Sequence, residues 1–159
     1  MIFITVGTQL SFERLISSVD VFFADKEETS VFAQIGPSFN MPQNITSAKF
    51  LLPLEAEKYF EEADLIIAHA GMGSVLTALK YRKPILVMPR KASLGEHRND
   101  HQMATAKWLQ ELPGVFVAWN EKELIEFLET KEQLISGAPI SDSAEDRLIN
   151  FLQETIQNS

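Results

Sequence analysis

Short apolar runs alternate with amphipathic stretches along most of the chain. Most of the apolar runs adjoin Gly or Pro and several are rich in β-branched residues, which predicts strands over residues 2–6, 31–35, 49–52, 65–68, 85–88 and 115–118. Helical spacing of apolar positions predicts helices that begin at Ser11 and that cover residues 54–63, 73–81, 99–112, 121–129 and 141–156. Because the strands are continuously apolar, they indicate an α/β fold, a parallel sheet with helices on both faces.

Size, charge and composition narrow the possible functions. The 159 residues fit a single domain, residues 1–159, and the net charge of −8 argues against a nucleic-acid partner. The chain contains no Cys, which excludes disulfides and thiolate chemistry. It lacks a signal-peptide pattern and any apolar run near the ~20 residues that span a bilayer. We therefore expect a soluble, cytoplasmic protein.

Positive charge is concentrated in one segment of this acidic chain. Residues 80–98 contain six basic side chains and a single acidic one, Glu96. Such a segment suits a small anion, although an ordinary solvated surface has the same composition. Arg90, Lys91 and Arg98 are the candidates for pairing with a carboxylate or a phosphate.

Glycines follow two of the predicted strands and lead directly into helices. Gly7 and Thr8 come after the first strand, and His69 begins a turn that contains Gly71, Met72, Gly73 and Ser74. Free N–H groups at a helix start bind anions, so residues 71–74 are predicted to hold a diphosphate. The alternatives are ordinary strand-to-helix turns and a structural role for His69.

A polar cluster follows the strand over residues 85–88. Residues 95–102 read Gly-Glu-His-Arg-Asn-Asp-His-Gln, a mixture of carboxylates and planar amides of the kind that binds sugar hydroxyls. His97 and His101, with Asp100, would also suit a metal site on one helix face. A third alternative is a polar helix start capped by Asn99 or Asp100.

Three segments together resemble glycosyltransferase family 28, specifically its C-terminal domain. They are residues 2–8, residues 69–74 (His-Ala-Gly-Met-Gly-Ser) and residues 95–102. The chain is similar to single-domain members, which include a eukaryotic dolichol-linked N-acetylglucosaminyltransferase subunit and paired bacterial subunits of capsule and exopolysaccharide synthesis. The resemblance implies a Rossmann-like domain, the C-terminal half of a GT-B fold. It also implies a UDP-sugar donor, no cofactor, and a membrane-anchored partner that binds a polyprenyl-linked acceptor.

The resemblance also implies roles for individual residues. Gly7, Thr8, His69, Gly71, Met72, Gly73 and Ser74 would surround the diphosphate, and Leu52 would edge the uracil. Glu96, Asn99, Asp100 and Gln102 would contact the transferred sugar. Many relatives have a glutamate on the ribose where this chain has Thr77, so ribose recognition is expected to differ here.

The implied reaction is an inverting transfer to a lipid-linked acceptor at the inner face of the membrane. Glu96, His97 and His101 are the candidate catalytic bases, with a base on the partner as the alternative. Two other functions are compatible with the same residues. One is a nucleotide-binding regulatory module without turnover; the other is a metal-dependent hydrolase that uses His69, His97, Asp100 and His101.

Overall fold

A six-stranded sheet forms the centre of the protein in a computed structural model, which describes residues 1–27 and 30–137 together with Asn150 and Glu154. The strands are β1 (Ile2–Thr5), β2 (Val31–Gln34), β3 (Thr46–Ala48), β4 (Leu65–His69), β5 (Ile85–Met88) and β6 (Val115–Val117). All neighbours pair in parallel, in the order β3-β2-β1-β4-β5-β6. The predicted parallel sheet is therefore confirmed. The predicted helix over residues 141–156 falls outside the described residues, apart from Asn150 and Glu154.

Helices cover both faces of the sheet. They are α1 (Glu13–Phe22), α2 (Pro53–Glu62), α3 (Met72–Lys80), α4 (His101–Leu109) and α5 (Glu121–Glu129). One buried cluster joins α1 and α5 to the strand residues that include Ile2 and Ile4, and the other joins α2, α3 and α4 to the opposite face through Phe3. Successive strand residues thus supply two separate cores, as a sheet buried on both sides requires. None of the described helices has the length and apolarity needed to cross a membrane.

The third strand lies elsewhere than the apolar pattern predicts. The ladder on β2 uses Thr46–Ala48, and its last contact is the N–H of Gly36 donating to the carbonyl of Lys49 over 2.8 Å. Residues 49–52 therefore run beyond the sheet, with Phe50 54% and Leu52 68% exposed. The predicted strand over 49–52 was wrong because β3 is an edge strand, which is not buried on both faces and needs no apolar run.

The boundaries of α4 also differ from the prediction. The helix begins at His101 rather than Asn99 and ends at Leu109, and a short 3₁₀ turn, Ala92–Leu94, precedes it. Asn99 lies outside the helix and its Oδ1 accepts a hydrogen bond from the N–H of His101 over 3.0 Å. The side-chain amide of Asn99 thus satisfies an N–H group at the start of the helix, which is why the helix begins after Asn99.

The order of the strands places a crevice at the carboxyl edge of the sheet. From β1 the chain continues outward through β2 and β3, then returns to β4 on the other side of β1 and continues to β5 and β6. The connections after β1 and β4 therefore diverge. In open α/β sheets this topological switch point is where ligands bind.

Candidate functional site

A cavity of about 450 Å³ occupies the switch point between β1 and β4. The turn after β1, including Gly7 and Thr8, forms one side, and the turn over residues 69–74 forms another. Thr77, Arg90, His97 and Gln102 complete the part of the lining that bears on the predictions. The fold thus brings together residues from three separate predicted clusters.

The start of α3 supplies free N–H groups to this cavity. The first N–H bonded within the helix is that of Val75, which donates to the carbonyl of Gly71 over 3.3 Å. Among the described residues no side chain caps this helix start, which leaves the N–H groups of Met72, Gly73 and Ser74 for a ligand. A Cβ on Gly73 would meet nothing within 4 Å, so this residue borders open space. The arrangement favours an anion, because the helix dipole adds positive potential there.

His69 packs between the two glycine turns. A Cβ on Gly71 would lie 2.1 Å from its Cε1, and a Cβ on Gly7 would lie 3.3 Å from its Nε2. Gly7 also has a φ of +77°, a left-handed conformation that glycine adopts without strain. The imidazole therefore explains why a side chain is excluded at Gly71 in particular.

Two donors converge on the inner nitrogen of His69. Nη1 of Arg90 lies 3.0 Å from Nδ1, and Nε2 of Gln102 lies 3.2 Å from the same atom. A guanidinium nitrogen donates only, so Nδ1 accepts and the proton of the neutral ring is on Nε2. Burial, aided by the nearby charges of Arg90 and His97, lowers the pKa of His69 to about 3. The ring is therefore neutral at physiological pH.

Arg90 is a buried hub rather than a surface cation. It is 3% exposed, and its Nη2 donates to the carbonyls of Val6 at 2.9 Å and Leu10 at 2.7 Å. Its guanidinium also lies over the ring of Phe12 at 5.2 Å. Burial lowers the pKa of Arg90 to about 10, with Glu96 acting in the opposite direction. Sequence reasoning expected an anion partner for this residue, whereas the structure uses it to join the end of β5 to the loop after β1.

Glu96 is engaged in an ion pair that sequence reasoning missed. Arg14, on α1, donates from Nε to Oε2 and from Nη2 to Oε1, both over 2.8 Å, and the side chains are only 12% and 10% exposed. Oε1 also accepts the N–H of Lys91 over 3.0 Å. This geometry favours a structural role for Glu96, because both carboxylate oxygens are already bonded. No local pattern signals the pair, since its members are 82 positions apart.

The other predicted site residues are distributed around the cavity. His97 lines both this cavity and a neighbouring one of about 520 Å³, and its Nδ1 accepts a long bond of 3.4 Å from the N–H of Asn99. Asp100 accepts the N–H of Ala92 over 3.0 Å and, like Asn99, is not part of the cavity's lining. Leu52 is exposed outside the cavity, whereas Thr77 borders it, with its hydroxyl bonded to the carbonyl of Gly73.

The basic segment over residues 80–98 is divided by the fold. Lys80 ends α3, and Arg82 and Lys83 precede β5 at the amino edge of the sheet, away from the cavity. Only Arg90 of the six lines the cavity, and Arg98 lines the neighbouring one. Clustering in sequence therefore does not produce a single cationic patch.

The geometry disfavours the metal-dependent hydrolase. The Nδ1 lone pair of His69 is used by Arg90 and Gln102, and Oδ1 of Asp100 is used by the backbone. Within residues 1–27 and 30–137 no group of three or more acidic or histidine side chains is arranged to hold a metal ion.

Comparisons with known proteins agree with the fold. The model of the family "Glycosyltransferase family 28 C-terminal domain" matches residues 1–134. The human UDP-N-acetylglucosamine transferase subunit ALG13 is 31% identical over 118 residues, which cover 68% of this chain and 10% of the human protein. The protein of the same name from Candida albicans is 31% identical over 75 residues, 47% of this chain and 24% of that protein. The chain thus spans only about a tenth of the human relative's length.

Solved structures share the architecture at low sequence identity. The solution structure of ALG13 has a TM-score of 0.63 at 20% identity, and the match covers 93% of this chain and 94% of that one. Acinetobacter baumannii MurG has a TM-score of 0.62 at 21% identity, over 96% of this chain and 49% of that one. These similarities confirm the predicted Rossmann-like fold. Because the family model covers most of the chain, this protein belongs to the glycosyltransferase family 28 C-terminal domain family.

Proposed function

We propose that this chain is the donor-binding, catalytic subunit of a two-component inverting glycosyltransferase that transfers a sugar from a UDP-sugar to a lipid-linked acceptor. The observation that carries the proposal is the convergence, in one switch-point cavity, of the free N–H groups of Met72, Gly73 and Ser74 with the Nε2–H of His69. Membership in a glycosyltransferase family supports it. So does the name of the human relative, a UDP-N-acetylglucosamine transferase subunit.

In the proposed reaction the acceptor hydroxyl attacks the anomeric carbon and UDP departs. Negative charge grows on the diphosphate, and fixed N–H donors at a helix start stabilise that charge without reorganising. Gly7 and Thr8 border the same space and complete the cradle. We propose that these donors take the place of a metal ion or other cofactor.

We propose that the sugar lies at the side of the cavity formed by His97, which also lines the neighbouring cavity. Thr77 borders the space for the ribose, and Leu52 would approach the uracil only from outside the cavity. For the proton of the acceptor, Glu96 is poorly suited because Arg14 holds its carboxylate. In His97 the N–H of Asn99 engages the Nδ1 lone pair. We therefore assign the base to the partner subunit.

The cellular setting is part of the same proposal. We place the chain in the cytoplasm, recruited to the inner face of the membrane by a membrane-anchored subunit that binds a polyprenyl-linked acceptor. The resemblance of residues 95–102 to bacterial polysaccharide enzymes supports a role in capsule or exopolysaccharide synthesis. The name of the human relative, a transferase subunit, supports a second polypeptide.

Two measurements test the proposal. Calorimetry should show that the purified chain binds UDP. The dissociation constant should be larger for Gly73→Val than for the wild type, because the valine side chain enters the open space. The chain co-expressed with candidate membrane subunits should transfer a labelled sugar from a UDP-sugar to a polyprenyl-linked acceptor. Failure to bind UDP at millimolar concentration would refute the proposal. Binding without transfer in a verified complex would instead support a regulatory nucleotide-binding module.

The assignment of the base has its own experiment. In the active complex, His97→Gln should retain transfer if the partner supplies the base. Loss of transfer with unchanged UDP affinity would place the base on His97 instead.

A further inference from the structure

The environment of His69 determines which of its nitrogens carries the proton. The guanidinium of Arg90 can only donate hydrogen bonds, so His69 Nδ1 accepts from Arg90 Nη1 over 3.0 Å. The amide of Gln102 is oriented by its other end, because its Oε1 accepts the N–H of Arg90 over 3.1 Å. Its Nε2 therefore points at Nδ1, 3.2 Å away, as a second donor. Two independent donors on one nitrogen require a lone pair there.

The remaining nitrogen faces the glycine turns that line the cavity. Ideal Cβ atoms on Gly7 and Gly71 would lie 3.3 Å and 2.7 Å from Nε2. The residues at the start of α3, with their free N–H groups, line the same cavity. The Nε2–H group is thus a side-chain donor beside a row of backbone donors.

We propose that Gln102 and Arg90 are positioning residues that hold His69 as its Nε2–H tautomer, so that this N–H donates to the diphosphate of the donor. The identity of the anion rests on the proposed function, but the tautomer does not. Both ends of the Gln102 amide bond within the protein, which fixes its orientation towards His69, a role different from the sugar contact that the family resemblance implies. In this proposal Arg90 fixes the tautomer of His69 in addition to joining the end of β5 to the loop after β1.

Nitrogen NMR of the histidine-labelled wild-type chain tests the tautomer directly. At neutral pH we expect His69 Nδ1 to be unprotonated and Nε2 to be protonated, and UDP should shift Nε2 more than Nδ1. A proton on Nδ1 in the free chain would overturn the proposal, as would a UDP-bound spectrum in which Nε2 does not respond. No variant needs to fold for this measurement.

The variant Gln102→Glu reverses the polarity of one contact while keeping the acceptor for the Arg90 N–H. A carboxylate cannot donate, so Nδ1 loses one of its two donors and faces a carboxylate oxygen, while the donor from Arg90 remains. The Nε2–H tautomer should therefore lose part of its population to the Nδ1–H tautomer, in which Nε2 presents a lone pair to the diphosphate. Loss of a hydrogen bond to a charged group corresponds to about tenfold or more in the dissociation constant. The matched control is Gln110→Glu, the same change at the exposed end of α4, which should alter neither spectrum nor affinity.

Comparison of two ligands separates this role from sugar recognition. If Gln102 positions His69, Gln102→Glu weakens UDP and UDP-N-acetylglucosamine by the same factor. A loss confined to the UDP-sugar would overturn the proposal in favour of a sugar contact. If NMR shows the Nε2–H tautomer of His69 but the chain binds no UDP, the proposed function is refuted and the assignment of the tautomer stands. Strong UDP binding with Nδ1 protonated would refute only the positioning role.

Discussion

Two glycines in the same turn are predicted to respond oppositely to replacement by alanine. In Gly71→Ala the new Cβ would lie 2.1 Å from Cε1 of His69. Carbon atoms in contact are separated by about 3.5 Å, so the ring must move by more than 1 Å. In Gly73→Ala the new methyl group meets nothing within 4 Å. The clash at Gly71 comes from one imidazole, which does not reach Gly73.

The expected free energies follow from what the ring would lose. Displacement of His69 strains a packed site, which costs about 1–3 kcal/mol, and weakens hydrogen bonds from Arg90 and Gln102 worth about 1 kcal/mol or more each. We therefore expect Gly71→Ala to lower the free energy of unfolding by about 2–4 kcal/mol. Gly73 lies within α3, and Gly73→Ala should raise the free energy of unfolding by about 0.5–1 kcal/mol.

Urea unfolding followed by fluorescence of the two tryptophans, Trp108 and Trp119, measures both changes. With a denaturant slope of about 2 kcal/mol/M, Gly71→Ala should lower the midpoint by about 1–2 M. In a His69→Ala background, the same change should cost less than about 0.5 kcal/mol, because the clashing ring is gone. Wild-type stability of Gly71→Ala, or a cost that persists without the imidazole, would refute the reasoning.

Three further predictions concern pH, the buried ion pair and the ribose. The pKa of His69 is about 3 in the folded chain and near 6.5 when unfolded, so stability should fall as pH drops through this window, by at most about 1.4 kcal/mol per unit. His69→Gln should flatten that slope in urea titrations, and an unchanged slope would contradict the assignment. Arg14→Met leaves Glu96 buried without its partner and should cost about 3 kcal/mol, measured by thermal unfolding. The double change Arg14→Met/Glu96→Met should recover most of that loss, and no recovery would show that the pair is not the cause. Thr77→Glu should strengthen UDP binding by about three- to tenfold through the ribose diol. An equal gain with a dideoxyribose analogue of UDP would show a different cause.

Local features of the sequence predict the part of the fold that forms the site. The strands β1 and β5 are apolar runs ended by Gly or Pro, β4 is an apolar run that leads into the turn at Gly71, and the structure places all three where the pattern indicates. Their carboxyl ends necessarily share one edge of a parallel sheet, so the turns after them meet. The glycine turns at residues 7 and 71–74 were therefore recognisable as one candidate site.

Other features depend on contacts that no local pattern encodes. The edge strand β3 consists of Thr46–Ala48, because pairing with β2 rather than apolarity selects it. The ion pair between Arg14 and Glu96 joins residues 82 positions apart.

The sequence alone thus determined the layered α/β architecture and the location of a glycine turn at the start of a helix, since short-range periodicity and backbone requirements specify both. Only the tertiary structure decided that His69 is a neutral donor held by Arg90 and Gln102, and that Glu96 is bonded to Arg14. The physical reason is that the protonation and availability of a polar side chain depend on which groups surround it after burial. Those groups come from distant parts of the chain.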